Sequence, residues 1–180
     1  MSDTPIKLIV GLGNPGAKYE HTRHNAGQDW LEQLAQQEGI TLAPEKRFFG
    51  DYGQGLVAGH KVHLLIPHTF MNLSGQSVQA LCNFYKIDTQ HILVAHDELD
   101  LPPGTARLKL GGGHGGHNGL RDIINKRSGD KNFHRLRLGI GHPGNAKLVT
   151  NYVLKKAPLE ERISIDHAME KAIKAMSDAI

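Results

Sequence analysis

The sequence alternates short apolar runs, each ended by glycine or polar residues, with segments whose apolar residues recur at helical spacing. Residues 6–10 and 92–95 have the length and composition of buried strands. Residues 25–38 place Trp30 and Leu34 at helical spacing, and Gly39 ends this segment. Strands that alternate with helices predict an α/β fold, with helices on both faces of a twisted, mostly parallel sheet.

The remaining elements complete a three-layer pattern. No repeat or linker divides the 180 residues, so we expect one domain, 1–180. Residues 48–57 and 61–66 predict a hairpin, which makes the sheet mixed. Further strands are predicted at 106–110 and 136–140. Three more helices are predicted: one capped by Asn72 or Ser74 with Val78, Leu81, Cys82 and Tyr85 inward, one over 118–126, and one over 158–179 with Ile163, Met169, Ile173 and Met176 inward.

The composition excludes several protein classes. Apolar runs reach only about five residues, well below the ~20 that a membrane-spanning helix needs. The first residues, Met1 to Pro5, lack the basic and apolar regions of a secretory signal. The single cysteine, Cys82, excludes an internal disulfide and a cysteine-cluster zinc site. We therefore expect a cytoplasmic protein with no membrane contact.

Positive charge is concentrated in the second half of the chain. The formal net charge is only +3, but residues 105–156 hold eleven Lys or Arg and only two Asp or Glu. This stretch therefore carries +9, and the rest of the chain carries −6. A basic half on a nearly neutral protein is typical of proteins that bind polyanions, so we expect a nucleic-acid partner.

Two glycine-rich segments follow predicted strands. Residues 11–16 have the GxGxxG spelling, but no helical pattern begins directly after them, as a dinucleotide fingerprint requires. We therefore interpret this segment as a rigid turn that presents Asn14, and not as a nicotinamide site. Residues 111–119 carry six glycines before a predicted helix, so their backbone N–H groups can approach a ligand closely.

The catalytic motifs of covalent hydrolases are absent from the sequence. There is no GxSxG motif, and Cys82 lies on a predicted apolar stripe. A hydrolase of this kind would use water, with a histidine as general base and a carboxylate on the other ring nitrogen. Asp97, expected just past the end of a buried strand, is placed to supply that carboxylate. The residues alone leave open whether His24, His96 or His117 is the base.

The twelve histidines also allow a metal site. His21 and His24 are three residues apart, as are His114 and His117, and the acids in residues 96–100 could complete an oxygen–nitrogen site. The HExxH motif is absent, and a metal-dependent hydrolase is kept as an alternative.

Three asparagines stand in predicted loops. They are Asn14, Asn72 and Asn118. An amide offers donors and an acceptor without charge, so such a cluster could bind peptide groups or polarise an ester carbonyl. Each asparagine taken alone is more often a turn former or a helix cap.

Six segments together resemble the bacterial peptidyl-tRNA hydrolase family. They lie in the family's order and at its spacing, between about residues 6 and 154. The segments are residues 10–16 (VGLGNPG) with Tyr19, 22–27 (TRHNAG), 70–75 (FMNLSG), 96–104 (HDELDLPPG), 110–120 and 133–144 (FHRLRLGIGHPG).

The resemblance implies a monomeric esterase, without metal or cofactor, that cleaves the ester between a peptide and the terminal ribose of tRNA. It implies that His24 is the base, that Asp97 keeps His24 ready to accept a proton, and that Asn14 senses the peptide bond beyond the ester. Lys109 and Arg137 resemble the family's phosphate-contacting positions. The groove for the peptide and the tRNA 3′ end would be lined by Tyr19, Phe70, Met71, Asn72, His117 and Asn118.

Two other functions are weighed against this one. An RNA-binding module without catalysis shares the basic stretch but gives no reason for His24, Asp97 and the asparagines, and a nicotinamide oxidoreductase needs the fingerprint that residues 11–16 lack. Since the sequence stops at Ile180, we expect its last helix to be shorter than is usual in the family. We expect the chemistry to survive this difference and the affinity for tRNA to be reduced.

Overall fold

Seven strands and five α-helices follow one another in the computed structural model, which describes residues 5–179. The expectations for Met1 to Thr4 and for the chain end at Ile180 lie outside the described residues. The strands are β1 (Leu8–Gly11), β2 (Ala43–Glu45), β3 (Gly50–Val57), β4 (His60–Pro67), β5 (Ile92–Glu98), β6 (Ala106–Leu110) and β7 (His134–Gly139). The helices are α1 (Ala26–Glu38), α2 (Ser74–Tyr85), α3 (Asn118–Lys126), α4 (Val149–Val153) and α5 (Leu159–Ala179).

The strands form one mixed sheet in the order β2-β3-β4-β1-β5-β7-β6. The four inner strands, β4, β1, β5 and β7, are parallel, and the outer strands pair antiparallel to their neighbours. The carboxyl ends of the inner strands therefore meet at one edge of the sheet. In open α/β sheets ligands bind at this edge, where loops leave the strands.

Each face of the sheet is covered by helices, as the three-layer prediction expects. On one face, Trp30 and Leu34 of α1 and Met169 of α5 pack in a cluster with strand residues such as Leu93. On the other face, Leu81 of α2 and Ile123 of α3 pack with residues such as Val94. The described residues thus form a single α/β domain, which confirms the predicted fold class.

Gly27 at the start of α1 explains how a helix comes so close to β5. A Cβ at this position would collide with the backbone carbonyl of Ala95. The backbone N–H of Gln28 also donates to the carbonyl of Leu12. Because α1 touches β5 without a side chain between them, the turn that precedes α1 lies against the end of β5.

The structure corrects several local predictions. Ile163 is 49% exposed, and Ile165 faces the core in its place because the inner face of α5 follows Ile165, Met169 and Ile173. Neither Asn72 nor Ser74 caps α2, because a 3-10 turn leads directly into this helix and places Leu73 at the cap position without a side-chain bond. The strand β5 continues to Glu98, so Asp97 lies within it. β2 and α4 were not predicted.

No helix in the described part of the chain combines the length and the apolar character that crossing a membrane requires.

Candidate active site

A groove of about 560 Å³ opens at the carboxyl ends of the inner strands. The loops after β1, β4, β5 and β7 all contribute to its lining, together with residues 114–118 before α3. Of the residues predicted for the site, eight line this groove: Asn14, His24, Phe70, Met71, Asn72, Asp97, His117 and Asn118.

His24 and Asp97 form a hydrogen-bonded pair at the base of the groove. His24 belongs to the 3-10 turn Arg23–Asn25 that leads into α1, and Asp97 lies in β5. The His24 Nδ1 atom lies 2.9 Å from Asp97 Oδ2. Burial by itself lowers the pKa of His24, but the charge of Asp97 and this hydrogen bond outweigh it and raise the pKa above 6.5.

Asp97 stays ionised although its side chain is only 3% exposed. Burial alone raises the pKa of a carboxyl group, but the charges and hydrogen bonds of His24 and His117 hold the pKa of Asp97 far below its ordinary value. An ionised carboxylate only accepts hydrogen bonds, so the proton of neutral His24 is on Nδ1. The lone pair of His24 is therefore on Nε2, where it can accept a proton.

His117 is the second imidazole on Asp97, and its tautomer is fixed by α3. Its Nδ1 accepts hydrogen bonds from the backbone N–H groups of Gly119 and Leu120, so His117 is the cap of this helix. Neutral His117 must then carry its proton on Nε2, which lies 2.8 Å from Asp97 Oδ1. His117 therefore donates to Asp97 and has no lone pair free for use as a base.

His96 is likewise unsuited to be the base. Its Nδ1 lies 2.8 Å from the backbone carbonyl of Asp97 and donates to it. The side chain is buried, and burial together with the neighbouring His117 lowers the pKa of His96 to about 4. Of the three histidines that the sequence left open, only His24 combines a carboxylate partner with an uncommitted ring nitrogen.

Asn14 projects from the loop after β1 with its amide in a fixed orientation. Its Oδ1 accepts a hydrogen bond of 2.7 Å from the backbone N–H of Met71. Its own backbone N–H and carbonyl are both bound to the side chain of Asn25. The Asn14 NH₂ group is therefore left to donate into the groove, and it would suit a carbonyl oxygen.

The GxGxxG segment around Asn14 packs against α1 and does not cradle a ligand. A Cβ on Gly13 would lie 2.5 Å from Gln28 Oε1. Two 3-10 turns separate the segment from α1 along the chain, and the first turn of α1 is occupied by the segment itself, since the backbone N–H of Gln28 donates to the carbonyl of Leu12. This geometry agrees with the predicted rigid turn and disfavours the nicotinamide alternative.

The other predicted groove residues differ in exposure. Phe70 is 55% exposed at the rim, and its ring meets that of Tyr19 edge to face, with centroids 6.3 Å apart. Asn72 is exposed beside it. Asn118 begins α3 and accepts a hydrogen bond from Arg121. These side chains form an apolar and amide-rich rim around the His24–Asp97 pair.

The glycine-rich loop before α3 is anchored by a buried cation. The guanidinium of Arg135 in β7 donates to the backbone carbonyls of Gly112 and Gly113. Burial lowers the pKa of Arg135 to about 10. The loop that carries His114 and His117 is therefore held to the sheet from beneath.

The two predicted phosphate contacts, Lys109 and Arg137, lie outside the groove lining on the neighbouring strands β6 and β7. Lys109 is exposed beside Gly112. The Nε of Arg137 donates to Glu98, 2.9 Å away, and Glu98 itself lines the groove. A phosphate that binds Arg137 would therefore contact a guanidinium that is already hydrogen-bonded to the Glu98 carboxylate.

One wall of the groove was not predicted. Val149, Thr150 and Val153 of α4 line it, together with His142 from the loop after β7. Sequence analysis missed this wall because α4 is only five residues long and lies in a polar stretch. The four-residue spacing of Val149 and Val153 is the one signal that could have indicated it.

His24, Asp97 and His117 also place one ligand atom each within 4.8 Å of one another, as a metal site requires. However, the His117 nitrogen that faces Asp97 carries a proton, since the other nitrogen caps α3. A cation would need that nitrogen unprotonated and would break the cap. The donor set therefore fits a hydrogen-bonded triad better than a metal centre.

Comparison with known proteins gives a consistent result. The profile of the peptidyl-tRNA hydrolase family matches residues 8–180. The peptidyl-tRNA hydrolase of Saccharophagus degradans is 62% identical over 98% of this chain and 89% of its own length, and that of a Marinomonas species is 56% identical over 97% and 90%. The crystal structure of peptidyl-tRNA hydrolase from Acinetobacter baumannii is 53% identical and superposes with a TM-score of 0.91, covering 97% of this chain and 89% of that chain.

Proposed function

The chain belongs to the peptidyl-tRNA hydrolase family and so hydrolyses the ester of peptidyl-tRNA in translation, and we propose that His24 is the base that activates water for this reaction. The observation that carries the proposal is the pairing of His24 Nδ1 with the buried Asp97, which leaves Nε2 unprotonated in the groove. His117 offers no such nitrogen, and the unprotonated Nε2 of His96 is buried and has no carboxylate on the other ring nitrogen.

The first step transfers a proton from water to His24 Nε2 while the water oxygen bonds to the ester carbonyl carbon. The imidazolium that forms lies against the Asp97 carboxylate, which stabilises its positive charge. Since Asp97 is also held by His117, it cannot rotate away as charge develops. General-base catalysis of this kind typically contributes ~10²–10⁴-fold.

The second step breaks the bond to the ribose oxygen. The tetrahedral intermediate collapses, the ribose oxygen leaves, and His24 returns its proton to that oxygen. The products are a tRNA with an intact 3′ end and a peptide acid, which releases its carboxyl proton to solvent and becomes a carboxylate. No covalent enzyme intermediate is needed, which agrees with the burial of the one cysteine, Cys82, whose thiol pKa burial raises to about 11.

Asn14 is proposed to recognise the peptide. Because its Oδ1 is already bound by Met71, the free NH₂ group donates to a carbonyl oxygen of the peptide next to the ester. An unblocked aminoacyl-tRNA lacks that carbonyl, so this one donor can favour peptidyl-tRNA over aminoacyl-tRNA. Asn72 and Asn118 supply further amide groups along the rim, and Tyr19 and Phe70 offer apolar surface to the tRNA 3′ end.

The acceptor stem of the tRNA is proposed to lie across β6 and β7. Lys109 and the outer nitrogens of Arg137 would contact its phosphates, which give affinity without sequence readout. Binding should therefore weaken steeply with salt. We propose further that the protein acts as a monomer in the cytoplasm, as membership of the family implies.

The decisive assay measures release of N-acetyl-amino acid from tRNA by the parent protein and by His24→Ala. We expect release by the parent, and not by the variant, with the same rate in the presence and absence of EDTA. Unblocked aminoacyl-tRNA should be cleaved far more slowly. Full activity of His24→Ala would show that His24 is not the base.

Two alternatives are separated by the same assay. If tRNA binds to the parent but no ester is cleaved, the protein is an RNA-binding module. If EDTA abolishes release and added Zn²⁺ or Mn²⁺ restores it, the cluster of His24, Asp97 and His117 holds a metal.

A further inference from the structure

Arg23, the residue directly before His24, is a buried cation with little charge compensation. Its side chain is 8% exposed, and within the described residues the one carboxylate in ion-pair range, Glu161, is 4.0 Å away. The Arg23 Nε has no hydrogen-bond partner. Burying a guanidinium in this way opposes folding, so its other contacts must have a compensating role.

Those contacts all lead to the end of α4. The Arg23 Nη1 donates to the backbone carbonyl of Tyr152 at 2.9 Å, and the guanidinium carbon lies 3.8 Å from the centre of the Tyr152 ring. The backbone N–H of Arg23 donates to the carbonyl of Lys155 at 3.0 Å. Both the main chain and the side chain of the residue before the base are thus fixed to one segment that lies 129 residues away.

The same helix forms a wall of the groove. Val149, Thr150 and Val153 of α4 line it together with His24. The position of the base and the position of this wall are therefore linked through Arg23.

Tyr152 extends the link to the strand that carries the acid. Its hydroxyl donates to the carbonyl of Ile140 at 2.6 Å. The backbone N–H of Ile140 in turn donates to the carbonyl of Glu98, the residue after Asp97. A continuous path of contacts therefore joins His24, α4 and β5.

We propose that Arg23 is a positioning residue that, through Tyr152, fixes the His24–Asp97 pair relative to the α4 wall. A substrate held against α4 then presents its ester at the distance from His24 Nε2 that water attack requires. The inference rests on the proposed function, because it explains how the proposed base is held at a fixed position relative to the substrate groove.

The test compares Arg23→Met, which removes the charge and the planar donors, with Arg23→Lys, which keeps the charge. Rates are measured per folded enzyme on N-acetyl-aminoacyl-tRNA, and folding is checked by circular dichroism and thermal unfolding. We expect Arg23→Met to lower kcat by ~10–100-fold with KM changed less than twofold, since a small misplacement of a reacting group has effects of this size. Arg23→Lys should recover part of the loss.

The matched control is Arg162→Met. Arg162 is an exposed arginine that lines the neighbouring cavity together with Arg23. Among the described residues, no hydrogen bond or ion pair joins its side chain to α4. It should leave kcat unchanged. A kcat of Arg23→Met within twofold of the parent, with or without a lower melting temperature, would make Arg23 purely structural and overturn the proposal.

Tyr152→Leu provides an independent route if Arg23→Met fails to fold. It removes the ring and the hydroxyl but keeps the backbone carbonyl. We expect a similar fall in kcat, and the double variant should be no slower than the slower single variant, because both changes break one path. An unchanged kcat for Tyr152→Leu, or losses that multiply in the double variant, contradicts the proposed link.

The parent and His24→Ala are assayed alongside. If His24→Ala is inactive and the Arg23 variants are fully active, the positioning role of Arg23 is wrong and the proposed function stands. If His24→Ala is fully active, His24 is not the base and the proposed mechanism is wrong.

Discussion

Two histidine–aspartate pairs lie on either side of the turn at residues 21–24, and they differ in charge and exposure. His24 meets Asp97 in the groove with a nitrogen–oxygen distance of 2.9 Å. His21 meets Asp29 at 3.3 Å in a second cavity of about 360 Å³ between α1 and α5. The Asp97 side chain is 3% exposed, whereas that of Asp29 is 24% exposed.

The more deeply buried carboxylate is the one that keeps its charge. Burial raises the pKa of Asp29 to about 6, because the charge and hydrogen bond of His21 offset only part of the desolvation and the charges of Glu32 and Asp166 add to the rise. Asp97 is desolvated further, but two imidazoles surround it and its pKa is lowered. Since burial raises the pKa of both carboxyls, the number and position of the donors around each one decide the direction of its net shift.

This difference separates an acid that can orient a base at neutral pH from one that changes charge near pH 6. The first requires two loops and a strand to converge on one carboxylate. An acid of the second kind arises where a helix partly covers a carboxylate on the helix against which it packs. The comparison can be tested by changing each pair and its supports in turn.

The largest effect is expected from His24→Ala, with His21→Ala as its counterpart in the second pair. The first change removes the nitrogen that we propose accepts a proton from water, so kcat should fall ~10³-fold or more. His21→Ala should leave kcat within twofold of the parent. Steady-state hydrolysis of N-acetyl-aminoacyl-tRNA measures both, and equal rates for the two variants would erase the distinction between the pairs.

Asp97→Asn should have the next largest effect. An amide cannot stabilise the imidazolium and permits the wrong tautomer of His24, so kcat should fall ~10²–10³-fold. The charge that raises the pKa of His24 is also lost while burial still lowers it, so the acid limb of the pH profile should move to lower pH.

The matched control for Asp97→Asn is Asp51→Asn, which alters a surface pair with His68 at 2.9 Å. It should change neither the rate nor the profile. An acid limb that stays in place for Asp97→Asn would show that Asp97 does not set the protonation of His24.

The sequence predicted the sheet except for its edge strand β2, because strand periodicity is a local signal. The site residues were predicted from the order of six motifs, and their roles stay a prediction. The pairing of His24 with Asp97 followed from the resemblance and not from spacing alone. The fixed tautomer of His117 could not be predicted, although the helix over 118–126 was, since it depends on which ring nitrogen turns to the backbone N–H groups of Gly119 and Leu120. Likewise, Asp29 looks like any surface acid in a helix until α5 packs beside it.

His117→Asn tests the support of Asp97 with a smaller expected effect. Asparagine is a good helix cap and can replace the bonds to Gly119 and Leu120, but its side chain is too short to reach Asp97. We expect kcat to fall ~10-fold, because a group positioned less firmly is a less effective orienting acid. The acid limb should move to higher pH, since the full charge of Asp97 then acts on His24.

His117→Ala is the companion variant. It loses the cap as well, so its free energy of unfolding should be lower than that of His117→Asn by about 1 kcal/mol, with a similar kcat. If His117→Asn keeps the parental kcat and pH profile, the second imidazole has no part in holding Asp97.

The smallest effect is expected from Asp29→Asn, and it concerns stability alone. The pKa of Asp29 rises on folding from 3.8 to about 6, so the folded protein holds a proton that the unfolded chain releases between these values. The parent therefore loses stability as the pH rises through this window, by at most ~3 kcal/mol.

Asp29→Asn removes that loss but also weakens the contact with His21. Its free energy of unfolding at pH 8 should therefore exceed that of the parent by only about 1 kcal/mol. Below pH 4 the advantage should disappear. Urea unfolding of both proteins from pH 3.5 to 8 measures the difference, and His21→Ala should enlarge the parental loss because it removes the imidazole that lowers the pKa of Asp29. A difference that does not vary with pH would mean that Asp29 is as well solvated in the folded protein as in the unfolded chain, and the contrast with Asp97 would then rest on the imidazoles alone.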